Sequence, residues 1–211
     1  MTQTAATLEQ PRMNRRQAAK VRTRQKVLDA ARDLFAERGY EPATIRDIAK
    51  GAGMSTGAVF ANFQDKAELF ETVLTEDMGR LAETLKSGAG QGSVRERLTA
   101  ALAAGYHDTL DHLPLFQAIV ARSWFQPQDA EKRARESTRR LTDVISAILR
   151  DGISKSELSQ DADVALLTEM VWETYLSNYR RAAYDGWSVE QLTDHAARQI
   201  DVILAGAITR K

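Results

Sequence analysis

The segment from Thr44 to Lys66, TIRDIAKGAGMSTGAVFANFQDK, constrains this chain more than any other stretch. It reads as two short helices joined by a tight turn, followed at once by the start of a third. Thr44 is placed to N-cap the first helix, with Asp47 three residues on closing a capping-box-like pair. Ile45, Ile48 and Ala49 form an apolar stripe of helical period. Gly53 falls where the chain must turn sharply and a residue tolerating positive φ is wanted. Ser55 caps the second helix, whose Val59 and Phe63 point back to the core while Thr56, Gly57, Ala58 and Asn62 face outward. Asp65 caps the next helix, with Glu68 as its box partner. A helix–Gly–helix segment on its own is commonly ordinary packing, so the charge around it decides how it is read.

Formal net charge is zero over the 211 residues, but the charge is unevenly spread. Residues 1–66 hold twelve Lys/Arg against seven Asp/Glu, a net of +5, and the remainder holds seventeen against twenty-two, a net of −5. From Arg12 to Lys26 there are seven basic residues (Arg12, Arg15, Arg16, Lys20, Arg22, Arg24, Lys26) and no acidic one. A basic arm in front of a helix-turn-helix is the electrostatic footprint of phosphate binding. An acidic remainder keeps the rest of the protein off DNA.

The chain has no cysteine, which excludes disulfides and thiolate zinc sites. Its start has no apolar signal region, and no run approaches the roughly eighteen apolar residues of a membrane span. A soluble, cytoplasmic protein is expected, with no membrane partner.

Residues 1–14 are polar and aperiodic and read as a disordered tail. A first helix is predicted from Arg15 or Lys20 to Arg38, with Val27, Leu28, Ala31, Leu34 and Phe35 inward and Gly39 as an αL terminator. With the helix-turn-helix (44–63) it makes a DNA-binding domain over 15–66. A core of that size is marginal alone and should lean on the helices beyond it. Next comes a long helix from Asp65 to about Lys86, a mechanical link into a second domain over 67–211, broken by a loop at 87–92. Five further helices are predicted: Ser93 (boxed with Glu96) to Leu110; Pro114 to Trp124; Asp129 to Arg150, ended by Gly152; Asp161 to Tyr184; and a last helix from Ser188 (boxed with Gln191), with Trp187 and Leu192 as a hydrophobic staple. The fold class is all-α, with about nine helices.

Residues 24–74 resemble the tetracycline-repressor (TetR) family of bacterial transcriptional regulators. Phe35, Gly39 and Tyr40 meet the family's end of the first helix, and Thr44, Ile48 and Ala49 its T-x-x-x-I-A frame. Gly53, Ser55, Gly57, Phe60, Phe63, Lys66 and Leu69 meet the family's next frame. The resemblance implies a homodimer whose recognition helices, Ser55 to Asn62, enter successive major grooves of a roughly palindromic operator. DNA contacts are expected from Arg22, Thr44, Arg46, Ser55, Thr56, Gly57, Ala58, Phe60, Asn62 and Lys66. Lys66 and helix-terminal amides suit phosphate. Arg46 suits phosphate or a base edge, Thr56 and Ala58 a thymine methyl, and Asn62 adenine. Many relatives have Tyr where this chain has Phe60, so a hydroxyl-to-phosphate bond is lost there. The basic arm before Lys20 is expected to compensate through the minor groove.

For the second domain the resemblance implies ligand binding and dimerisation through the last two long helices. Val164, Leu167, Val171, Leu192, Ile200 and Ile203 offer the apolar surface for dimerisation, or else form monomer core. Tyr106, Phe116, Trp124, Phe125, Trp172, Tyr175 and Tyr179 are the candidate lining of a pocket for a flat or apolar small molecule, or else core. The HDTLDH segment (His107 to His112) has offsets that do not converge on one helix face, so no metal is expected, and no cofactor. With no catalytic constellation in the sequence, no enzyme is expected. The reading is a ligand-responsive dimeric repressor. The alternatives are a ligand-independent chromosome-organising DNA-binding protein, or a helical carrier or enzyme with a vestigial helix-turn-helix.

Overall fold

The computed structural model describes residues 14–123 and 128–207. Among them every regular element is helical: α1 (Arg15–Arg38), α2 (Ile45–Gly51), α3 (Thr56–Phe60), α4 (Lys66–Gly88), α5 (Val94–Thr109), a 3-10 turn (Leu110–His112), α6 (Leu113–Ser123), α7 (Gln128–Ser154), α8 (Val164–Asp185) and α9 (Val189–Leu204). None of the described helices is long and apolar enough to cross a membrane. Trp124 and Phe125 lie outside the described residues, as does the tail up to residue 13.

Local capping chemistry sets most helix starts. Ser93 and Ser188 each form a full capping box, with Glu96 and Gln191. Asp65 accepts from the Glu68 amide, but the Glu68 carboxylate reaches one residue further back, to the Gln64 N–H at 2.6 Å. Two helix starts rest on residues that were not named as caps. Asn14 and Gln17 form a box that starts α1 at Arg15, and Asp163, rather than Asp161, caps α8.

Two predicted ends move, and a third keeps its place but not its backbone conformation. Gly39 ends α1 at φ 76°, ψ −175°, outside the αL region. Helix α4 continues through Gly88, so the predicted loop is shortened. Gly152 does not end α7, which runs on to Ser154, with Ser156 at positive φ beyond it. The reason is space: a Cβ on Gly152 would lie 2.0 Å from Val94 Cγ2, so glycine is what lets α7 press against the start of α5.

The buried residues form two clusters that meet within α4. The smaller joins Val27, Leu28, Ala31 and Phe35 of α1 to Ile48, Ala49, Val59, Phe63, Leu69, Phe70 and Val73. Phe35 and Phe70 pack edge to face, with ring centroids 5.1 Å apart. Leu115 of α6, only 2% exposed, completes this cluster from the other domain. The cluster around the first three helices is thus closed by side chains from α4 and α6. The larger cluster begins at Met78 and takes in α5 through α9. Ile119 packs against both.

Candidate nucleic-acid interface

Helices α2 and α3 cross closely because the residues between them are small. Ala49 and Val59 are buried at their contact, and Gly53 turns the chain with φ 66°. No neighbouring atom lies within 4 Å of a Cβ built at Gly53, so backbone conformation rather than crowding calls for glycine there. Thr44 both accepts from the Asp47 N–H (3.2 Å) and donates to its carboxylate (2.6 Å). Ser55 Oγ accepts from the Ala58 N–H at 3.2 Å and so starts α3.

With Val59 and Phe63 turned inward, α3 presents Ser55, Thr56, Gly57 and Phe60 to solvent, and Ala58 is half-buried. Phe60 is 55% exposed, a large apolar ring standing on the outer face of α3. Arg46 is exposed on α2, as is Lys50. Arg22 is exposed on α1.

Two expected DNA readers have other work. Asn62 is turned inward, its Nδ2 donating to the Ala58 carbonyl at 2.9 Å and its Oδ1 buried without a hydrogen-bond partner, so it presents no free edge to adenine. Lys66 donates to the carbonyls of Tyr40 (3.0 Å), Glu41 (3.3 Å) and Ala43 (3.0 Å), and its ammonium lies 4.2 Å from the Tyr40 ring centroid. An ammonium has three protons. All three hold the loop between α1 and α2, which leaves none for a phosphate.

Sequence reasoning missed Arg24 and Arg32. Arg24 donates to the Asn62 carbonyl at 3.0 Å and lies 4.0 Å over the Phe63 ring, which ties α1 to the end of α3. Arg32 joins the two domains' helices. Its Nε donates to Asp77 (2.9 Å), and its other nitrogens to Glu76 (2.6 Å) and Asp29 (2.9 Å). Arg80 also reaches Asp77, at 2.5 Å. Burial lowers the Arg32 pKa, but the Asp77 bond and charge, with Asp29 and Glu76, outweigh it and hold the pKa above its ordinary value. Any rotation of α4 against α1 must therefore strain or break this cluster. Its signal in the sequence was the adjacent Glu76-Asp77 pair on a helix whose other acids stand singly, but a partner 45 residues away cannot be read from spacing.

The expected pocket aromatics of the second domain do converge. Tyr106 stacks on Tyr175 (4.7 Å) and Phe116 on Tyr179 (5.0 Å), while Trp172 lies 5.7 Å from Tyr175. All five are buried and fill the space between α5, α6 and α8. Their hydroxyls form a chain: Thr109 to Tyr179 (2.5 Å), Tyr179 to Tyr175 (2.6 Å), and Asn178 bridging Tyr106 (3.0 Å) to Gln199 (2.8 Å). Burial pushes all three phenol pKa values far up, so they stay neutral and act only as hydrogen-bonding groups. A cleft of about 110 Å³ adjoins this cluster, lined by Asp77, Arg80, Leu81, Asp108, Thr109, His112, Leu115 and Phe116. It therefore touches both the hydroxyl chain and the carboxylate that holds Arg32.

The expected dimer residues need a correction. Leu167, Val171, Leu192 and Ile200 are buried inside the chain's own core, and only Val164 and Ile203 are half-buried. The most apolar stripe of each helix is taken by the monomer. The neighbouring stripe is what remains outside: Leu166 (51% exposed) and Met170 (42%) on α8 and Val202 (77%) on α9. An open groove of about 380 Å³ runs between these helices along Thr174, His195, Arg198, Gln199, Val202 and Ile203.

Such a fold places a helix-turn-helix with an outward-facing second helix on a basic first helix, with a larger group of helices behind it. Residues 27–73 match the family described as bacterial regulatory proteins, tetR family. The chain is 48% identical over 65 residues to the transcriptional repressor AcnR of Corynebacterium efficiens, a match covering 31% of this chain and 35% of that one. It is 28% identical over 157 residues to the fatty acid metabolism regulator protein of Bacillus subtilis, covering 70% and 77%. Among solved structures, FadR from Bacillus subtilis in complex with stearoyl-CoA superposes with a TM-score of 0.73 at 20% identity, over 86% of this chain and 98% of that one. A transcriptional regulator from Rhodococcus sp. Rha1 gives 0.73 at 23%, over 89% and 99%. The similarity is thus to TetR-family regulators; the family match lies within residues 27–73, and the chain spans about a third of the length of the AcnR repressor it matches.

Proposed function

We propose that this chain is a dimeric repressor that binds a palindromic operator through α3 of each protomer and is released by a small organic effector. The observation that carries the reading is the route from α3 to the second domain. The recognition helix is tied to α1 by Arg24, α1 to α4 by Arg32, and α4 lines the cleft beside the aromatic cluster. The DNA-binding domain is 15–66 with its helix-turn-helix at 44–63, and the effector and dimerisation domain starts at 67. Thr56 and Phe60 meet thymine methyl groups, Arg46 reaches phosphate or a base edge, and Ser55 holds phosphate. Half-sites lie about one helical turn, roughly 34–36 Å, apart.

Dimerisation pairs the Leu166, Met170 and Val202 face of α8 and α9 with its copy. Those apolar side chains, exposed in a row beside an open groove, support this face over the buried stripe first expected. The effector enters at the Asp77 to Phe116 cleft and parts the aromatic cluster. Long-chain acyl thioesters are the first compounds to try, because one relative is a fatty acid metabolism regulator and one structural neighbour was solved with stearoyl-CoA. The effector acts only if it binds the released state more tightly than the DNA-bound state.

The test is selection of genomic fragments by the purified protein at about 0.15 M salt, where specific and non-specific binding separate. One or a few palindromic sites, released on adding the effector, are expected. Hundreds of sites insensitive to any ligand would favour a chromosome-organising role, and sequence-blind binding would leave the vestigial reading. Proven ligand binding with unchanged operator affinity would defeat the release mechanism.

A further inference from the structure

We infer that the first turns of α1, ahead of the family match at residues 27–73, are a second DNA-binding surface in which Arg16 and Lys20 grip the phosphate backbone flanking each half-site. The inference rests on the operator-binding reading and adds to it a contact that α2 and α3 do not make.

Four observations converge on this segment. First, it is helical from Arg15, started by the Asn14–Gln17 capping box, and nothing among the described residues packs closely over it. Arg15, Arg16, Gln17, Ala19, Lys20, Val21 and Arg22 are all exposed, and the first buried residue of α1 is Val27. Most helices are held by tertiary packing of one face, and this part of α1 has none. Second, from Arg15 to Leu28 the chain carries six basic residues and no acidic one, so the surface has a single sign of charge. Third, the segment is aimed. Arg24 is fastened to the Asn62 carbonyl and the Phe63 ring, so α1 leaves the domain alongside the end of the recognition helix.

The fourth is helical phase. At 3.6 residues per turn, Lys20 lies about one turn before Arg24 on the same side of α1, and Arg16 with Gln17 about one turn before that. Arg15, Arg22 and Lys26 fall roughly on the opposite side, so the contact expected of Arg22 is not on this face. From Arg24 to Arg16 the helix rises about 12 Å, roughly the axial length of three to four base pairs. A helix about 10–12 Å across does not fit a minor groove about 6 Å wide. The helical state of Arg15 to Lys20 thus replaces the expected minor-groove arm with a bar lying along the phosphates outside the major groove that α3 occupies. Both groups are long cations, suited to phosphate and blind to base identity.

The test uses the full chain and the best-bound genomic fragment. R16A/K20A places the best helix former at two exposed helical sites, so folding is preserved. Its expected effect is about tenfold weaker binding at about 0.15 M salt and a slope of log Kobs against log[salt] shallower by about two. Hydroxyl-radical protection should retreat by roughly three to four base pairs at the outer edge of each half-site. R15A/K26A removes the same charge from the other side and should lose only the long-range share, about twofold. Equal losses from the two pairs, or an unchanged slope and footprint in R16A/K20A, would overturn the inference while leaving operator binding intact. A wild-type chain that selects no specific fragment would remove the operator reading, and this inference with it.

Discussion

Arg32 on α1 and Asp77 on α4 are joined at 2.9 Å with their side chains 19% and 12% exposed, the one largely buried ion pair that links the recognition domain to the long helix among the described residues. A pair this sheltered is worth more than a surface bridge, because removing one partner strands the other's charge. Asp77→Asn is expected to lower unfolding free energy by about 1–2 kcal/mol, Glu76 and Asp29 sharing the remaining charge. The same variant should respond less to effector, since α4 can shift without breaking the pair. Urea unfolding and operator titrations with and without effector check both, and a fully retained response would remove Arg32 from the coupling route.

Adjacent residues on α3 should separate stability from DNA binding. Val59 is fully buried, so Val59→Ala is expected to destabilise the chain by about 1–3 kcal/mol. Phe60→Ala should change stability by under about 0.5 kcal/mol, yet weaken operator binding at least about fivefold. Parallel denaturation and binding curves decide it. A Phe60→Ala protein that binds normally would take the ring off the DNA.

Gly152→Ala should cost about 1–3 kcal/mol by overpacking against Val94. Combining it with Val94→Ala should recover part of that loss, because the colliding methyl is gone. The double-mutant cycle reads the coupling directly, and additive effects would mean α7 and α5 move apart at no cost.

On the proposed dimer face, Met170→Glu with Val202→Glu should give a folded monomer with weakened operator binding. Leu167→Ala, inside the core, should instead destabilise by about 2–4 kcal/mol. Sedimentation and thermal melts tell the two outcomes apart, and a stable dimer carrying both glutamates would move the interface elsewhere.

His195, packed edge-on to Trp187 at 5.3 Å and lining the α8–α9 groove, has its pKa lowered by burial first and then by Arg198 and Arg181. Its native pKa lies below the unfolded value, so the unfolded chain binds more protons in between. Stability should therefore fall as pH drops through about 6.5 towards the native pKa, and recover as pH rises. His195→Gln should flatten that part of the profile, followed by tryptophan fluorescence during unfolding. An identical slope in the variant would assign it to other groups.

The helix pattern was open to reading because its signals are local: Ser93 with Glu96, Ser188 with Gln191 and Gly53 act within a few residues. The inner stripe of α1 emerged residue for residue for the same reason. What stayed hidden depends on tertiary distance. Gly152 resembles a terminator until Val94 is seen against it, and Lys66 resembles a phosphate ligand until three loop carbonyls are found around its ammonium. The stripe expected for dimerisation is mostly monomer core, because hydrophobicity alone cannot say which of two apolar stripes the monomer claims first. Val171 and Met170 are neighbours in sequence, and only packing separates them.

The hydroxyl chain through Thr109, Tyr179 and Tyr175, with Asn178 linking Tyr106 to Gln199, sets a condition on whatever opens the aromatic cluster. A pure hydrocarbon wedged among these rings would leave phenols and an amide with nothing to bond in a dry interior, a penalty of about 1–3 kcal/mol for each orphaned group. A molecule carrying a carbonyl or hydroxyl at the right depth inherits those bonds instead. For the proposed effector, selectivity would then come less from the shape of a cavity than from a polar debt that only a suitably functionalised guest can settle.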